Sequence, residues 1–124
     1  MRGVYARPLV PDEAPAAVFA AHCARGEIAY QVAPDGRAVF PPRMAEPGTG
    51  APLRWAVSAG RGVIYSTTVV RRRGEEPAGI VLVTLDEGFR MMSTVVDRAP
   101  QDVAIGDRVA VRFGEDDVPV FVVA

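Results

Sequence analysis

The stretch that decides the fold is residues 30–55, YQVAPDGRAVFPPRMAEPGTGAPLRW. Two short loops, Val32–Arg37 and Met44–Ala51, flank the strand-like Ala38-Val39-Phe40. A zinc ribbon is laid out in this way, each loop supplying two thiolate or imidazole ligands to one tetrahedral metal. Neither loop contains a Cys or a His. The segment has the outline of a ribbon without its ligands, so something other than metal must hold it. Five prolines from Pro34 to Pro52 reduce the freedom of the unfolded loops, and Phe40 and Trp55 offer apolar anchors.

Working outward toward the N-terminus, residues 1–11 read as an extended arm. Asp12-Glu13-Ala14-Pro15 reads as a helix start, with acidic residues in the first turn and a proline where one is tolerated. Ala16–Arg25 continues as a short helix with Val18, Phe19 and His22 on one side, and Gly26 ends it. Ile28–Val32 then reads as a strand. In the other direction, Leu53–Val57 closes the ribbon, and everything beyond it is strand and turn. Val63–Arg71 is β-branched and aromatic, and a loop at Arg72–Ala78 leads to Ile80–Asp86. Glu87-Gly88 is a tight-turn signal before Phe89–Val96. Asp97–Asp107 is a longer connection in which Pro100 and Gly106 leave room for a helical turn but oppose a full helix. Arg108–Phe113 and Val118–Val123 form a last hairpin around Gly114-Glu115-Asp116-Asp117.

Val109, Val111 and Phe113 alternate with Arg108, Ala110 and Arg112, as a half-buried strand requires. Five such strands in sequence predict a small closed barrel, and the OB-fold is the common five-stranded form. The fold class is therefore mainly β: an N-terminal arm and helix (1–27), a metal-free ribbon-like segment (28–58) and a five-stranded OB-fold barrel (59–124). Two strands exceed what an isolated barrel needs. Ile80-Val81-Leu82-Val83 and Val118-Pro119-Val120-Phe121-Val122-Val123 are apolar on both faces, whereas a barrel has one interior. Their outer faces call for a cover, either the N-terminal half or another protein.

Composition narrows the chemistry. The chain has 124 residues, 49% hydrophobic and 23% charged, enough for one compact domain with a small appendage. One Cys and one His rule out an internal disulfide and any multi-Cys or His-rich metal site. All 14 basic residues are Arg, which removes the P-loop, Schiff-base and kinase lysines together. The absence of Asn removes any N-glycosylation acceptor. With a net charge of −1, one Trp and three Tyr, the chain lacks the basic excess and interleaved aromatics of a single-stranded nucleic-acid-binding OB-fold protein, the main alternative reading. The start of the chain has no apolar core of signal-peptide length and no stretch has the length of a membrane span, so the expected compartment is the cytoplasm, with no membrane partner.

The order of features resembles a known family. A short helix precedes GEIAYQ, then come FPPR, LRW and GRGVIYSTTVV, then IVLVTLDEGFRMMSTVV and IGDRVAVRF, and VPVF closes the chain. These seven pieces in this order, spanning nearly the whole sequence, resemble the acyl-CoA-associated family of zinc ribbon plus OB-fold catalogued as "domain of unknown function thirty-five". Its pattern has two C-x-x-C knuckles around FPPR. Carried over position by position, the four ligand places fall here on Ala33, Gly36, Glu46 and Thr49, of which only Glu46 is able to bind a metal. The resemblance thus implies a ribbon, and the residues imply no zinc. It further implies a non-catalytic accessory subunit of lipid metabolism. Such a subunit docks on a thiolase-, hydroxymethylglutaryl-CoA-synthase- or enoyl-CoA-hydratase-type enzyme and helps to position the coenzyme A thioester, with no covalently bound cofactor.

With coenzyme A as the expected ligand, the arginines become candidates. Arg71-Arg72-Arg73 lies at the end of the first barrel strand, in a loop that borders the ligand face of OB-folds. Three guanidiniums there match phosphates by forked hydrogen bonds, with Glu75 and Glu76 nearby to offset them. Arg43 in FPPR and Arg61 in AGRG each stand beside Pro or Gly, a rigid setting for one presented guanidinium. Other groups read as structural. His22 and Cys23 are helix neighbours whose side chains point about 100° apart, which does not make a nucleophile–base pair. Asp86-Glu87 and Glu115-Asp116-Asp117 sit in turns without calcium-loop spacing. Met91 and Met92 point to opposite faces of a strand, one into the core and one onto the covered outer face. Tyr65 and Trp55 are large enough to stack on adenine, but the core is the commoner place for each.

Overall fold

The computed structural model describes residues 14–124. The arm at 1–11 and the acidic pair Asp12-Glu13 lie outside the described residues. The first element is the helix α1 (Pro15–Ala24), with Pro15 at the first helical position and Ala14 as an N-cap that contributes no side-chain bond. Its first turn contains no acidic residue, so the helix starts later than the sequence predicts. Gly26, at φ 79°, ends it in a left-handed conformation, and the Gly26 N–H bonds back to Cys23 O.

Three short strands follow, β1 (Ala29–Val32), β2 (Ala38–Val39) and β3 (Arg54–Val57). They form an antiparallel sheet in the order β2-β1-β3, within the segment 28–58 read from the sequence as ribbon-like. The barrel is built from β4 (Arg61–Val70), β5 (Ala78–Leu85), β6 (Arg90–Ser93), β7 (Arg108–Phe113) and β8 (Pro119–Val123), in the order β6-β5-β4-β7-β8. β4 and β5 pair antiparallel from Gly62↔Leu85 to Val70↔Ala78, with a bulge at Tyr65. A single parallel bridge, Val95↔Phe121, brings the two edge strands together and closes the barrel. The connection before β7 contains one 3₁₀ turn at Pro100–Asp102, the short turn its proline and glycine allow. No helix among the described residues is long and apolar enough to cross a membrane.

Alternation places Ile64, Val81, Val83, Met91, Val109 and Phe121 inside the barrel, where they form one core with Leu85 and Phe89. Ile28, just ahead of β1, joins that core. The helix and ribbon pack on the barrel through a run of aromatic rings. Phe19 meets Phe40 edge-on at 5.6 Å, Phe40 stacks on Phe89 at 5.0 Å, and Tyr30 stacks on Phe89 at 4.8 Å. Glu87 ties the same junction, accepting bonds from the Ser58 hydroxyl at 2.7 Å and the Ala59 N–H at 2.9 Å. Gly60 and Gly62 allow the close approach that follows. A Cβ on Gly60, at φ 76°, would overlap Val111, and one on Gly62 would overlap the Thr84 carbonyl.

The described part of the N-terminal half packs at the β5–β6 turn and reaches one end of the β6–β8 groove, leaving much of the outer sheet face uncovered. Among the described residues, Ile80 and Val118 are exposed, Leu82, Val120 and Val122 are half-buried, and Met92 is 71% exposed. Of the two covers the sequence called for, the described part of the N-terminal half supplies only that end.

Candidate functional site

The loops of the ribbon answer the question their sequence poses. Each is closed by its own backbone: Ala33 N–H to Arg37 O and Gly36 N–H to Ala33 O in the first, Glu46 N–H to Ala51 O and Gly50 N–H to Glu46 O in the second. Gly36, Gly48 and Gly50 take the positive φ values these turns require. A side-chain clasp then joins loop to loop. Arg37 Nη2 donates to Glu46 Oε2 at 2.7 Å, and Thr49 Oγ1 donates to Glu46 Oε1 at 2.6 Å. Glu46 is buried, while Arg37 keeps most of its side chain in solvent. Two of the four positions that the family resemblance assigns to zinc, Glu46 and Thr49, are thus engaged with each other and with Arg37. Ala33 packs with Val39 and Leu53 in a small core under the loops, and Gly36 makes a turn. No group of three or more His, Cys, Asp and Glu side chains able to hold a metal ion occurs among the described residues.

Two of the candidate arginines are presented by rigid backbone. The buried Gln31 amide holds Arg43 from both sides: Gln31 Nε2 donates to Arg43 O at 2.7 Å, and the Arg43 N–H donates to Gln31 Oε1 at 2.6 Å. The Arg43 side chain remains exposed, three residues beyond the cis Phe40–Pro41 peptide that begins its loop. Arg61 opens β4 between the two close-packed glycines, is exposed, and has its carbonyl bonded by the Asp86 N–H. Arg71, Arg72 and Arg73 lie in the β4–β5 loop just past the end of β4, and all three are exposed. Arg61 and Arg71 stand at opposite ends of β4, up to about 30 Å apart along an extended strand. The structure therefore does not gather the five arginines at one point.

An apolar groove opens along one edge of the barrel. It has a volume of about 620 Å³ and lies between β6 and β8, with Phe19, Phe40 and Pro41 at one end and Met92, Val118 and Pro119 along its sides. Arg90 lines it too, its guanidinium resting 3.7 Å over the Tyr65 ring and its Nε donating to Thr84 Oγ1. Met91 is buried in the core and Met92 is exposed, the opposite faces that the strand period predicts, and both line the groove.

The remaining candidates take structural places. Trp55 is fully buried beside Val18 and Ala29, with His22 stacked at 6.2 Å, so it belongs to the core and does not present a face to adenine. His22 is buried, its Nδ1 within 2.9 Å of both Glu27 and Arg25. Burial, and then the charge of Asp117, push the Cys23 thiol up from its ordinary range, the opposite of what a nucleophilic cysteine needs. Burial and the Glu87 charge likewise raise the Tyr30 phenol. Gln31 and Glu87, which set the geometry around Arg43 and Arg61, carry no local signal in the sequence. Their partners lie 12 and about 30 residues away.

The strand order, with the first barrel strand flanked by the second and fourth and with the third and fifth meeting in parallel, is that of an OB-fold. Residues 55–114 match the ChsH2 C-terminal OB-fold domain. Among solved structures, a chain described as "Ltp2-ChsH2(DUF35) aldolase" is similar over the whole molecule. Its TM-score is 0.77 at 26% identity, covering 94% of this chain and 98% of that one. No curated protein matches the chain in sequence. The likeness to the ChsH2(DUF35) chain extends over nearly the whole molecule, and with the match of residues 55–114 it supports the resemblance to the DUF35 OB-fold family.

Proposed function

We propose that the chain is an accessory subunit that docks on a thiolase-, hydratase- or aldolase-type enzyme and lends arginines to the coenzyme A thioester site of the complex. The observation that carries this reading is the end-to-end likeness to a ChsH2(DUF35) chain whose structure is named together with Ltp2 as an aldolase. Two features of the molecule agree with it. Its outer sheet face and groove leave Ile80, Met92 and Val118 in contact with solvent, a surface suited to a protein partner. Its exposed arginines lie in settings fit for phosphates: Arg43 and Arg61 on rigid backbone, and Arg71–Arg73 together in one loop. The spread of these side chains fits a long ligand touched at several points better than a single phosphate pocket. The adenosine phosphates of coenzyme A would meet one group, and the partner's surface the other.

The test is the affinity of the assembled complex for coenzyme A, with and without Arg71, Arg72 and Arg73. Each charge-assisted phosphate contact contributes roughly 1.5–3 kcal/mol net. The triple change Arg71→Ala, Arg72→Ala, Arg73→Ala therefore weakens binding at least tenfold if even one of the three touches phosphate. Equal affinities would remove this loop from the site. Retention of the free chain on heparin or single-stranded DNA, abolished by salt, would favour nucleic-acid binding instead.

A further inference from the structure

The seam between β6 and β8 is only half closed, and its open half has the hydrogen-bonding pattern of an unpaired strand edge. Leu85 N–H bonds to Phe89 O, which sets the antiparallel alternation of β5 against β6. In the observed register, Val83↔Met91 and Val81↔Ser93 are then the bonded pairs. The N–H and C=O groups of Arg90, Met92, Thr94 and Val96 point the other way, toward β8. The last two of these are bonded there: Phe121 N–H donates to Thr94 O, and Val96 N–H donates to Phe121 O. On β8 the odd residues face the seam. Val123 N–H reaches Asp97, Phe121 N–H reaches Thr94, and the next position is Pro119, which has no N–H to give. Backbone-to-backbone closure stops at that proline, whose carbonyl accepts a bond from the Ser93 hydroxyl of β6 at 2.9 Å instead. Arg90 and Met92 sit opposite Thr84 and Leu82 of β5, and among the described residues no backbone group of β8 bonds to either of them.

We propose that this edge receives an extended segment of the partner polypeptide, which adds a strand to β6 along Arg90–Ser93 and lies in the groove. The inference rests on the accessory-subunit reading and names the mode of docking. Two features choose the occupant. A hydrocarbon chain would fill the apolar groove but leave two N–H and two C=O groups unpaired, whereas a peptide backbone satisfies all four. The edge is four residues long, which at about 3.3 Å per residue fits a short apolar β-strand of about four residues. Side chains on one face of that strand meet Phe40 and Val120 in the groove, and those on the other lie beside Met92.

Amide hydrogen exchange of the full chain, followed by NMR, tests this in two steps. In the free chain the amides of Arg90 and Met92 exchange at least tenfold faster than those of Met91 and Ser93. In the complex with its enzyme they become protected. Met92→Pro removes the edge N–H without touching the bonds to β5, and it weakens the complex at least 30-fold, while Met92→Leu leaves affinity within threefold. Thermal unfolding of both variants confirms that the barrel is intact.

Protection of Met92 in the free monomer, lost on deleting residues 1–11, would assign the edge to the chain's own N-terminus and overturn the proposal. Protection that grows with concentration would assign it to a second copy, and protection by palmitoyl-CoA alone would assign it to an acyl chain. A complex that forms equally well with Met92→Pro would refute this docking mode and leave the accessory role standing. A chain that binds none of the three enzyme types removes both.

Discussion

Glu46→Ala is the sharpest test of what holds the ribbon. The carboxylate is nearly enclosed, at 9% side-chain exposure, and accepts bonds from Thr49 at 2.6 Å and Arg37 at 2.7 Å. The Thr49 bond is charge-assisted but only part-buried, because Thr49 itself is exposed, and is worth at most roughly 1.5–3 kcal/mol. Arg37 is 60% exposed, so its bond counts as a surface pair and adds only about 0.2–1 kcal/mol. Removing the carboxylate also removes its desolvation cost, which trims the sum to a loss of about 2–3 kcal/mol. For a chain of this size that is a drop in Tm of roughly 6–15 °C. Arg37→Ala leaves the Thr49 bond in place and costs about 1 kcal/mol or less. Urea unfolding of the two single variants and the double variant gives the coupling between them, expected at about 0.5–1 kcal/mol. Glu46→Ala within about 0.5 kcal/mol of the parent chain, or a coupling indistinguishable from zero, would show that the clasp does not hold the loops together.

Other outcomes follow from the same contacts. Elemental analysis of untagged protein is expected to find no zinc, and chelators to leave the melting curve unchanged, because the clasp occupies the ground between the loops; one zinc per chain would contradict this. Gly62→Ala drives a Cβ into the Thr84 carbonyl and the Val83 side chain, and is expected to cost more than about 2 kcal/mol in urea unfolding, whereas Gly114→Ala, with open space around it, costs about 1 kcal/mol or less. Cys23 and Tyr30 have folded-state pKa values raised above their ordinary 9.0 and 10.0, so the stability they contribute is complete below those values and is lost as pH rises through the folded ones. Urea midpoints should fall above about pH 9, and a Cys23→Ala, Tyr30→Phe variant should flatten that fall. The Cys23 thiol should react with a disulfide reagent at pH 8 at least a hundredfold more slowly in the folded chain than in urea.

The barrel was legible because its strands carry their own period. Val109, Val111 and Phe113 alternate with charged or small neighbours, and the structure turns them inward as read. The ribbon outline was legible from the spacing of its turns. What the sequence could not show were contacts between distant residues of unremarkable type. Gln31 reads as a polar residue in a short strand, and only the fold reveals that both ends of its amide hold Arg43. Glu87 reads as a turn residue, yet it ties the ribbon to the barrel. Trp55 was ambiguous between stacking platform and core because an aromatic residue at a strand end suits both, and packing against α1 decided for the core. The uncovered outer face could be foreseen from two-faced strands, but its cover could not, since that depended on where the helix and ribbon settle. Pro119 was visible inside an apolar run, and its consequence, the halted seam, needed the register of β8 against β6.

The accessory role is tested most directly by what accompanies this chain when it is isolated. Untagged protein purified from its native host under low salt, with native mass spectrometry of the eluate and sequencing of every component, is the decisive measurement. The predicted result is a stoichiometric complex with a thiolase-, hydratase- or aldolase-type subunit whose affinity for a coenzyme A thioester exceeds that of either component alone. A chain that elutes by itself, or with a partner that has no coenzyme A chemistry, would contradict it.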